Sequence, residues 1–298
     1  MLICPIIPTF NRRDYLRIVL TQLFSQEDSG NYELKPVVVV DGSTDGTLEM
    51  LTSEFPSVAV VRSYGDWWWT RSVNEGIRFA LSSLNPDYIL LLNDDSIIEP
   101  DYISSLIHAS QQAPENAIIG SISVTDKQPY RVSFSGVRRV NWVSLKRDLY
   151  HPSFELLDKL RPNDLVPTYA LNGRGTWIPA VVIQTLGLLD ARAFPQYGSD
   201  DDLALRAWKK GFPVLLSYSC KVYDRTQDTS KGSALRKDGA MVFFRSFFTR
   251  HSVNYIPKQF LFFSRHGIKV LLPFYMLKFV LGTSYAYFFK YKKLKHEL

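Results

Sequence analysis

The chain has 298 residues, 46% of them hydrophobic and 21% charged, with a formal net charge of +6. This balance excludes a disordered, collagen-like or disulfide-stapled protein and allows one large domain or two smaller ones. Two cysteines are too few for a disulfide framework or a tetrathiolate zinc site, and the five histidines show no metal-ligand spacing.

The N-terminal residues predict a buried strand followed by a helix. Leu2–Ile7 is a short apolar run that ends at Pro8, and Asp14–Phe24 has apolar residues near helical spacing. No basic stretch precedes the apolar run, and Pro5 and Pro8 interrupt it, so the sequence predicts no signal peptide. A reducing, cytoplasmic compartment is therefore the default expectation.

Strands and helices alternate over the following segment. The predicted strands are Pro36–Val40, Val58–Arg62 and Tyr88–Leu92, and the predicted helices are Thr47–Glu54 and Val73–Leu84. This alternation predicts an α/β fold with a mostly parallel sheet and helices on both faces. In such sheets the ligand lies beyond the carboxyl ends of the strands. We therefore expect three polar loops, Pro8–Asn11, Asp41–Asp45 and Asn93–Ser96, at one crevice.

The second half of the chain has a less regular pattern. It predicts strands at Ile118–Val124 and Arg131–Phe134, a loop at Leu160–Pro167, a glycine-rich strand or turn at Asn172–Pro179, and a helix at Val181–Leu186. Gly198–Lys210 is the best-marked helix, because it has an acidic start, an apolar face and a basic end. Asp200, Asp201 and Asp202 open this helix. Clustered carboxylates raise at least one pKa, which suits a general base, although acids are also common at helix starts.

Two acidic loops follow predicted strands. Asn93, Asp94 and Asp95 suit a hard cation such as Mg²⁺ or Mn²⁺, which prefers oxygen ligands and bridges substrate phosphates. A solvated turn or a helix cap is an equally good interpretation of this loop taken alone. Asp41 and Asp45 are candidate caps for the helix that begins at Thr47.

The C-terminal segment carries the basic excess of the chain. Residues 245–298 hold ten Lys or Arg and one acid, and Val270–Phe289 is nearly all apolar before a cluster of four lysines. Rings and cations in this arrangement favour a membrane surface over a nucleic acid, because a nucleic-acid groove needs no long apolar run. A helix pair packed on the catalytic body, or a dimer element, is the alternative.

These motifs together resemble the family-2 glycosyltransferases with the GT-A fold, the large inverting group. IIPTFNR at 6–12 and VVVVDGSTDGT at 37–47 resemble its first two strands and loops, and NEG at 74–76 its N-x-G helix start. LLLNDDS at 90–96 resembles its D-x-D metal motif, with Asn93 in place of the first Asp. NGRGTWIP at 172–179 and GSDDDLALR at 198–206 resemble its acceptor-side half, with Ser199 in place of the usual Glu of the ED motif. The tryptophan-containing loop before Asn74 is similar to the rhamnosyltransferase-like branch.

The resemblance implies a role for each matching residue. Those implied in nucleotide-sugar binding are Pro8, Thr9, Asn11, Asp41, Trp69, Asn74, Asp94, Gly173 and Arg174. Asp95 is implied as the principal ligand of Mg²⁺ or Mn²⁺, together with Asn93. Asp200 is implied as the base that deprotonates the acceptor hydroxyl, with Asp201 and Asp202 as secondary candidates. Trp67, Trp68 and Trp69 are candidates for stacking on sugar rings or, alternatively, an apolar cover of the sheet.

The sequence therefore predicts a GT-A catalytic domain at 1–244, with a nucleotide-binding half at about 1–96 and an acceptor half at about 97–244. Residues 245–298 form a helical, membrane-associated extension. The predicted activity is inverting transfer of a hexosyl or deoxyhexosyl group from a nucleotide-diphosphate sugar to a glycan or lipid-linked acceptor in cell-surface polysaccharide biosynthesis. A soluble or protein acceptor, and a non-catalytic nucleotide- or nucleic-acid-binding protein, are the alternatives. Oligomerisation stays open.

Overall fold

A computed structural model describes residues 1–27, 32–160, 164–225 and 239–290. The predicted α/β architecture is confirmed. The strands are β1 (Leu2–Thr9), β2 (Glu33–Leu34), β3 (Val37–Asp41), β4 (Ala59–Ser63), β5 (Tyr88–Leu91), β6 (Ser96–Ile98), β7 (Ile118–Thr125), β8 (Val132–Phe134), β9 (Val137–Asn141), β10 (Lys146–Leu149), β11 (Leu165–Pro167), β12 (Thr176–Pro179) and β13 (Val214–Asp224). The α-helices are α1 (Arg13–Phe24), α2 (Thr47–Glu54), α3 (Trp68–Phe79), α4 (Tyr102–Gln112), α5 (Ala180–Leu186), α6 (Ser199–Lys209), α7 (Ala240–Ser246), α8 (Ile256–His266) and α9 (Leu272–Tyr285).

The central sheet has the order β11-β13-β7-β12-β5-β1-β3-β4. Strands β5, β1, β3 and β4 run parallel, whereas β12 is antiparallel to both of its neighbours. The all-valine part of β3 is buried on both faces, as expected for a strand in the middle of a covered parallel sheet. The carboxyl ends of β1, β3 and β5 therefore lie along one edge.

Helices cover both faces of the sheet. On one face, Leu16 and Leu20 of α1 and Leu106 of α4 belong to a single buried cluster. On the other face, Ile77 of α3 and Leu203 of α6 belong to a second cluster. Helices α3 and α6 therefore lie side by side on the same face of the sheet. Their first turns are directed toward the carboxyl ends of the strands.

Helix α3 begins five residues earlier than the periodicity predicts. Trp68 and Trp69 lie in its first turn and not in a preceding loop, so that part of the sequence prediction is wrong. The reason is a set of distant hydrogen bonds at the helix start. The Asp41 carboxylate accepts the N–H groups of Trp67 and Trp68, and the Gln196 side chain accepts that of Trp69. The orphan donors of the first turn are thereby satisfied by residues far away in sequence. Residues 165–167, predicted as a loop, form the short strand β11.

The C-terminal helices pack on α6 and on the β9–β10 hairpin. His266 of α8 is buried against Asp202 of α6, and buried Tyr275 of α9 donates a hydrogen bond to the carbonyl of Trp142. The outer face of α9 is left exposed. By length and composition alone, the helix Lys269–Phe289 is long and apolar enough to cross a membrane. Of its most apolar 18-residue stretch, 6% is buried in the protein. The lysines predicted to follow it at 292, 293 and 295 lie outside the described residues.

Candidate active site

A cavity of about 500 Å³ opens at the carboxyl ends of β1, β3 and β5, where the three polar loops were expected to meet. We call it the strand-end cleft. Its lining residues are Pro8, Thr9, Phe10, Arg12, Asp41, Asp66, Trp68, Trp69, Ser72, Asn93, Asp94, Asp95, Arg174, Gln196 and Tyr197. The size is within the range of small-molecule sites.

Two buried carboxylates and one arginine form the charged floor of this cleft. Nη1 of Arg12 lies 3.2 Å from Oδ1 of Asp94 and 2.9 Å from Oδ2 of Asp95. Burial raises the pKa of Asp94 to about 6, although the charge of Arg12 works in the opposite direction. Two adjacent buried carboxylates in one loop would destabilise the fold if they had no partner. Arg12 supplies the positive charge that compensates them.

The acidic loop fits a divalent cation that the substrate helps to hold. Oδ1 of Asp95 is buried and has no hydrogen-bond partner among the described residues, so one carboxylate oxygen is left for another ligand. Within the described ranges, no cluster of three or more His, Cys, Asp or Glu side chains forms a complete metal cage. Mg²⁺ and similar ions are commonly held by one or two carboxylates plus substrate phosphates, which matches this donor set. The Asn93 amide oxygen accepts the Trp69 indole N–H at 2.9 Å.

Trp69 forms the wall at the inner end of the strand-end cleft. A Cβ atom on Gly173 would lie 2.3 Å from the Trp69 ring, so only glycine allows the ring to lie against this backbone. Trp68, at the mouth of the cleft, stacks on His251 from the C-terminal segment with ring centroids 3.7 Å apart. The two tryptophans therefore have different positions. Trp69 forms an inner wall of the site, and Trp68 joins the rim of the cleft to the C-terminal segment.

A second cavity of about 540 Å³ continues on the other side of Trp69, and we call it the α6 cleft. It shares Trp69, Asn93, Arg174, Gln196 and Tyr197 with the strand-end cleft. Asp200 and Asp201, at the start of α6, line the second cavity. The structure thus brings Asp41 and Asp95 into one compartment and Asp200 into the next, with a common wall between them.

The α6 cleft is lined by paired charges. Asp200 accepts the backbone N–H of Gly173 at 3.2 Å, and Asp201 pairs with Arg147 at 3.0 Å. Arg174 pairs with Asp224 at 2.5 Å, and both side chains are largely buried. The Asp201 carboxylate raises the pKa of Arg147 above its usual value. These pairs place two arginines, each beside a carboxylate, in the cleft that the start of α6 faces.

Three residues implied by the resemblance lie outside both clefts. The Asn74 side chain is buried and exchanges two hydrogen bonds with the backbone of Leu189, so it joins α3 to the loop before α6. The Asn11 side chain accepts the N–H of Thr44, which links two strand-end loops. Asp202 is fully buried among Arg206, Arg265 and His266. The predicted substrate contacts of Asn11 and Asn74 and the secondary base role of Asp202 stay predictions, and these hydrogen bonds and ion pairs give each residue a structural role as well.

The family of the chain follows from its sequence over the part that carries the strand-end loops. Residues 4–171 match the sequence profile of Glycosyl transferase family 2, and the match spans more than half of the chain. The chain belongs to Glycosyl transferase family 2. No protein with a curated description matches its sequence significantly.

Solved structures support the fold of this family-2 glycosyltransferase. The chain superposes on S. aureus TarS with a TM-score of 0.54 at 13% identity over 88% of its length, and spans 42% of that protein. On TarS 1–349 the TM-score is 0.57 at 12% identity, covering 98% of this chain and 92% of that one. On GalNAc-T7 with UDP, GalNAc and Mn²⁺ the TM-score is 0.61 at 14% identity, and the match covers 96% of this chain and 57% of that one. These likenesses establish the GT-A fold.

Several residues of the family-2 glycosyltransferase site were missed by the sequence reasoning. Arg12 stands at the end of the recognised IIPTFNR segment, next to Asn11, and the loop geometry places it on the acidic floor. Gln196 and Tyr197 line both clefts and directly precede the GSDDD segment, which was the available signal. Arg147 and Asp224 carry no local signal, since only the sheet topology brings them to α6.

Proposed function

We propose that this enzyme moves a hexosyl or deoxyhexosyl group from a nucleoside-diphosphate sugar to a hydroxyl of a glycan or lipid-linked acceptor, with inversion, in the synthesis of cell-surface polysaccharide. The observation that carries the proposal is the pair of joined cavities. One holds an acidic floor suited to a diphosphate and a cation, and the other holds carboxylates at a helix start. Two substrates bound there would meet at the shared wall.

The strand-end cleft binds the donor in this proposal. Pro8, Thr9 and Asp41 line the pocket for the nucleotide. The Asp41 carboxylate is held there by hydrogen bonds from the Ser63 hydroxyl and from the N–H groups of Trp67 and Trp68. Asp95, together with Asn93, would hold Mg²⁺ or Mn²⁺, and the GalNAc-T7 neighbour was solved with UDP and Mn²⁺. When bound, the cation stabilises negative charge on the departing diphosphate. Arg12 keeps the carboxylates of Asp94 and Asp95 in place, and Asn11 holds the adjacent loops together.

The α6 cleft binds the acceptor. Asp200 takes the proton from the attacking hydroxyl as the bond to the anomeric carbon forms, and attack from the face opposite the diphosphate inverts the configuration. The Gly173 N–H orients the Asp200 carboxylate, and Arg174 reaches the wall where donor and acceptor meet. Holding the two substrates in this geometry supplies a large part of the rate.

The C-terminal extension binds the inner face of the cell membrane in this proposal. Leu277 and Leu281 of α9 are 58% and 59% exposed, and Phe274 and Tyr285 extend the same face. Exposed apolar side chains in a row along one helix are typical of an interfacial anchor. The catalytic domain at 1–244 and the extension at 245–298 then act at one surface.

The Asp200→Asn variant tests the chemistry. We first identify a donor by thermal shift with UDP-glucose, UDP-N-acetylglucosamine, dTDP-rhamnose and GDP-mannose in the presence of Mn²⁺, because a ligand of the native state raises the unfolding temperature. Transfer by Asp200→Asn should fall by about 100-fold or more, since general-base catalysis commonly contributes at least this much. The donor-induced thermal shift should be retained.

Asp201→Asn is the matched control, because it removes the neighbouring carboxylate of the same cleft. It should retain transfer within about tenfold, reflecting the loss of its ion pair with Arg147. Wild-type turnover by Asp200→Asn would reject Asp200 as the base, and a severe loss in Asp201→Asn alone would move that role to Asp201.

A further inference from the structure

A third cavity, of about 310 Å³, lies between the β9–β10 hairpin and helices α8 and α9. We call it the hairpin groove. Its lining residues are Val140, Trp142, Leu145, Arg147, Gln259, Phe262, Phe263, Lys278, Phe279, Gly282 and Thr283. The volume reaches the lower end of the range for small-molecule sites.

The hairpin groove adjoins the α6 cleft. Arg147, Gln259 and Phe262 line both cavities. Arg147 is ion-paired with Asp201, the residue that follows Asp200 at the start of α6. Arg147 therefore lies at the border between the cavity that contains Asp200 and the groove.

The groove is apolar with cations at its edge. Trp142, Phe263 and Phe279 supply aromatic walls, while Arg147 and Lys278 supply positive charge. Among the described residues, Asp201 is the one acceptor of the Arg147 guanidinium, which leaves four of its five N–H groups for an anion. Lys278 donates a hydrogen bond to the carbonyl of Ser144. Because that carbonyl is neutral, this contact does not compensate the positive charge of Lys278. The walls therefore suit a chain that is apolar along its length and anionic at one end.

The same helix that walls the groove also presents the exposed apolar face. Lys278 and Gly282 of α9 line the groove, whereas Leu277 and Leu281, each one residue earlier, are exposed to the outside. The exposed apolar face and the groove therefore lie on neighbouring sides of the same helix. The position of the groove thus matches a ligand that comes from the lipid phase.

We propose that the hairpin groove binds the phosphate-bearing apolar chain of a lipid-linked acceptor, while the acceptor sugar occupies the α6 cleft. The inference rests on the proposed function, because it takes Asp200 as the point at which the acceptor hydroxyl is activated. The phosphate lies between Arg147 and Lys278, and the first part of the apolar chain lies against Trp142, Phe263 and Phe279. The groove thereby selects acceptors by their lipid anchor.

Gly282→Leu is the sharpest test of this site. Gly282 lines the groove, and a Cβ there meets no atom within 4 Å, so leucine adds apolar bulk at the groove wall without a clash. Leucine is also a better helix former than glycine. Gly239→Leu is the matched control, since Gly239 has the same open surroundings and lies outside the groove and both clefts. The probe is dodecyl phosphate below its micelle concentration, titrated calorimetrically into the full chain.

Gly282→Leu should weaken dodecyl phosphate binding by at least about tenfold, a change that corresponds to 1.4 kcal/mol, while Gly239→Leu binds as the wild type does. Lys278→Gln should weaken it by about fivefold, the effect of one partly exposed charge pair. Dodecanol and inorganic phosphate should each bind at least about tenfold more weakly than dodecyl phosphate. Unchanged binding in Gly282→Leu, or equally tight binding of dodecanol, would overturn the assignment.

The outcome separates this inference from the proposed function. If Asp200→Asn loses transfer and Gly282→Leu binds the probe as the wild type does, the groove is rejected as a lipid-phosphate site and the proposed transferase mechanism is retained. Probe binding that responds as expected, combined with normal turnover by Asp200→Asn, keeps the groove as a lipid-phosphate site and removes Asp200 as the base.

Discussion

Asp202 of α6 is the buried charge whose removal should be felt most strongly in the stability of the enzyme. Its side chain is fully buried and contacts Arg206 at 2.8 Å, His266 at 2.9 Å and Arg265 at 3.2 Å. Deleting one partner of a buried ion pair commonly destabilises a protein by about 3–5 kcal/mol. The two arginines are 24% and 36% exposed and can regain water. We therefore expect about 3 kcal/mol for Asp202→Ala.

A loss of this size should lower the thermal unfolding midpoint by about 6–12 °C, followed by circular dichroism at pH 7. Asp201→Ala, one residue away on an exposed ion pair, should shift the midpoint by about 3 °C or less. Donor turnover of folded Asp202→Ala, measured below its midpoint, should stay within about tenfold of wild type. Equal midpoints for the two variants would refute the reasoning.

The pH dependence gives a second check on Asp202. Burial alone would raise its pKa, but the hydrogen bond from His266 and the charge of Arg206 outweigh burial, so its pKa lies below the ordinary value. The stabilisation is therefore present above the unfolded pKa of about 4 and is lost as the pH falls through the lower folded pKa. The difference in midpoint between wild type and Asp202→Ala should shrink below about pH 4. A difference that grows in acid would contradict this sign.

Two further predictions concern the metal and the membrane. EDTA should abolish sugar transfer and added Mn²⁺ should restore it; activity that persists in EDTA would rule out Asp95 as an essential ligand. The double variant Leu277→Ser/Leu281→Ser should lose at least about tenfold in sedimentation with anionic phospholipid vesicles, because each leucine contributes about 1.5–3 kcal/mol when fully buried. Vesicle binding equal to that of wild type would exclude this face as the anchor.

Local sequence patterns were sufficient for much of the nucleotide-side fold. The helix Thr47–Glu54 and the buried strand at 37–41 are marked by residues inside or next to them, namely a run of valines and an Asp-Gly turn. The start of α3 is different, because its N–H groups are bonded to Asp41 and Gln196, which lie 27 and 127 residues from their partners Trp68 and Trp69. A short stretch of sequence does not contain both partners of these hydrogen bonds, so it does not predict where the helix begins.

The acceptor side shows why adjacent identical residues could not be told apart. Asp200, Asp201 and Asp202 follow one another on a helix, so their side chains are spread over about 100° steps around its axis. Two of them face the α6 cleft and the third is directed into the contact with α8. Which of the three is buried depends on where α8 packs, and the sequence of α6 does not record that.

The contact between Asp202 and His266 also limits how the enzyme can be shortened. A chain cut near residue 260 would lack Arg265 and His266 and would leave a carboxylate inside the protein with only Arg206 beside it. Such a shortened enzyme should be destabilised by this unpaired buried charge, whatever its affinity for lipid. Point substitutions on the outside of α9 keep this internal pairing intact, so they, and not deletions, can separate anchoring from catalysis.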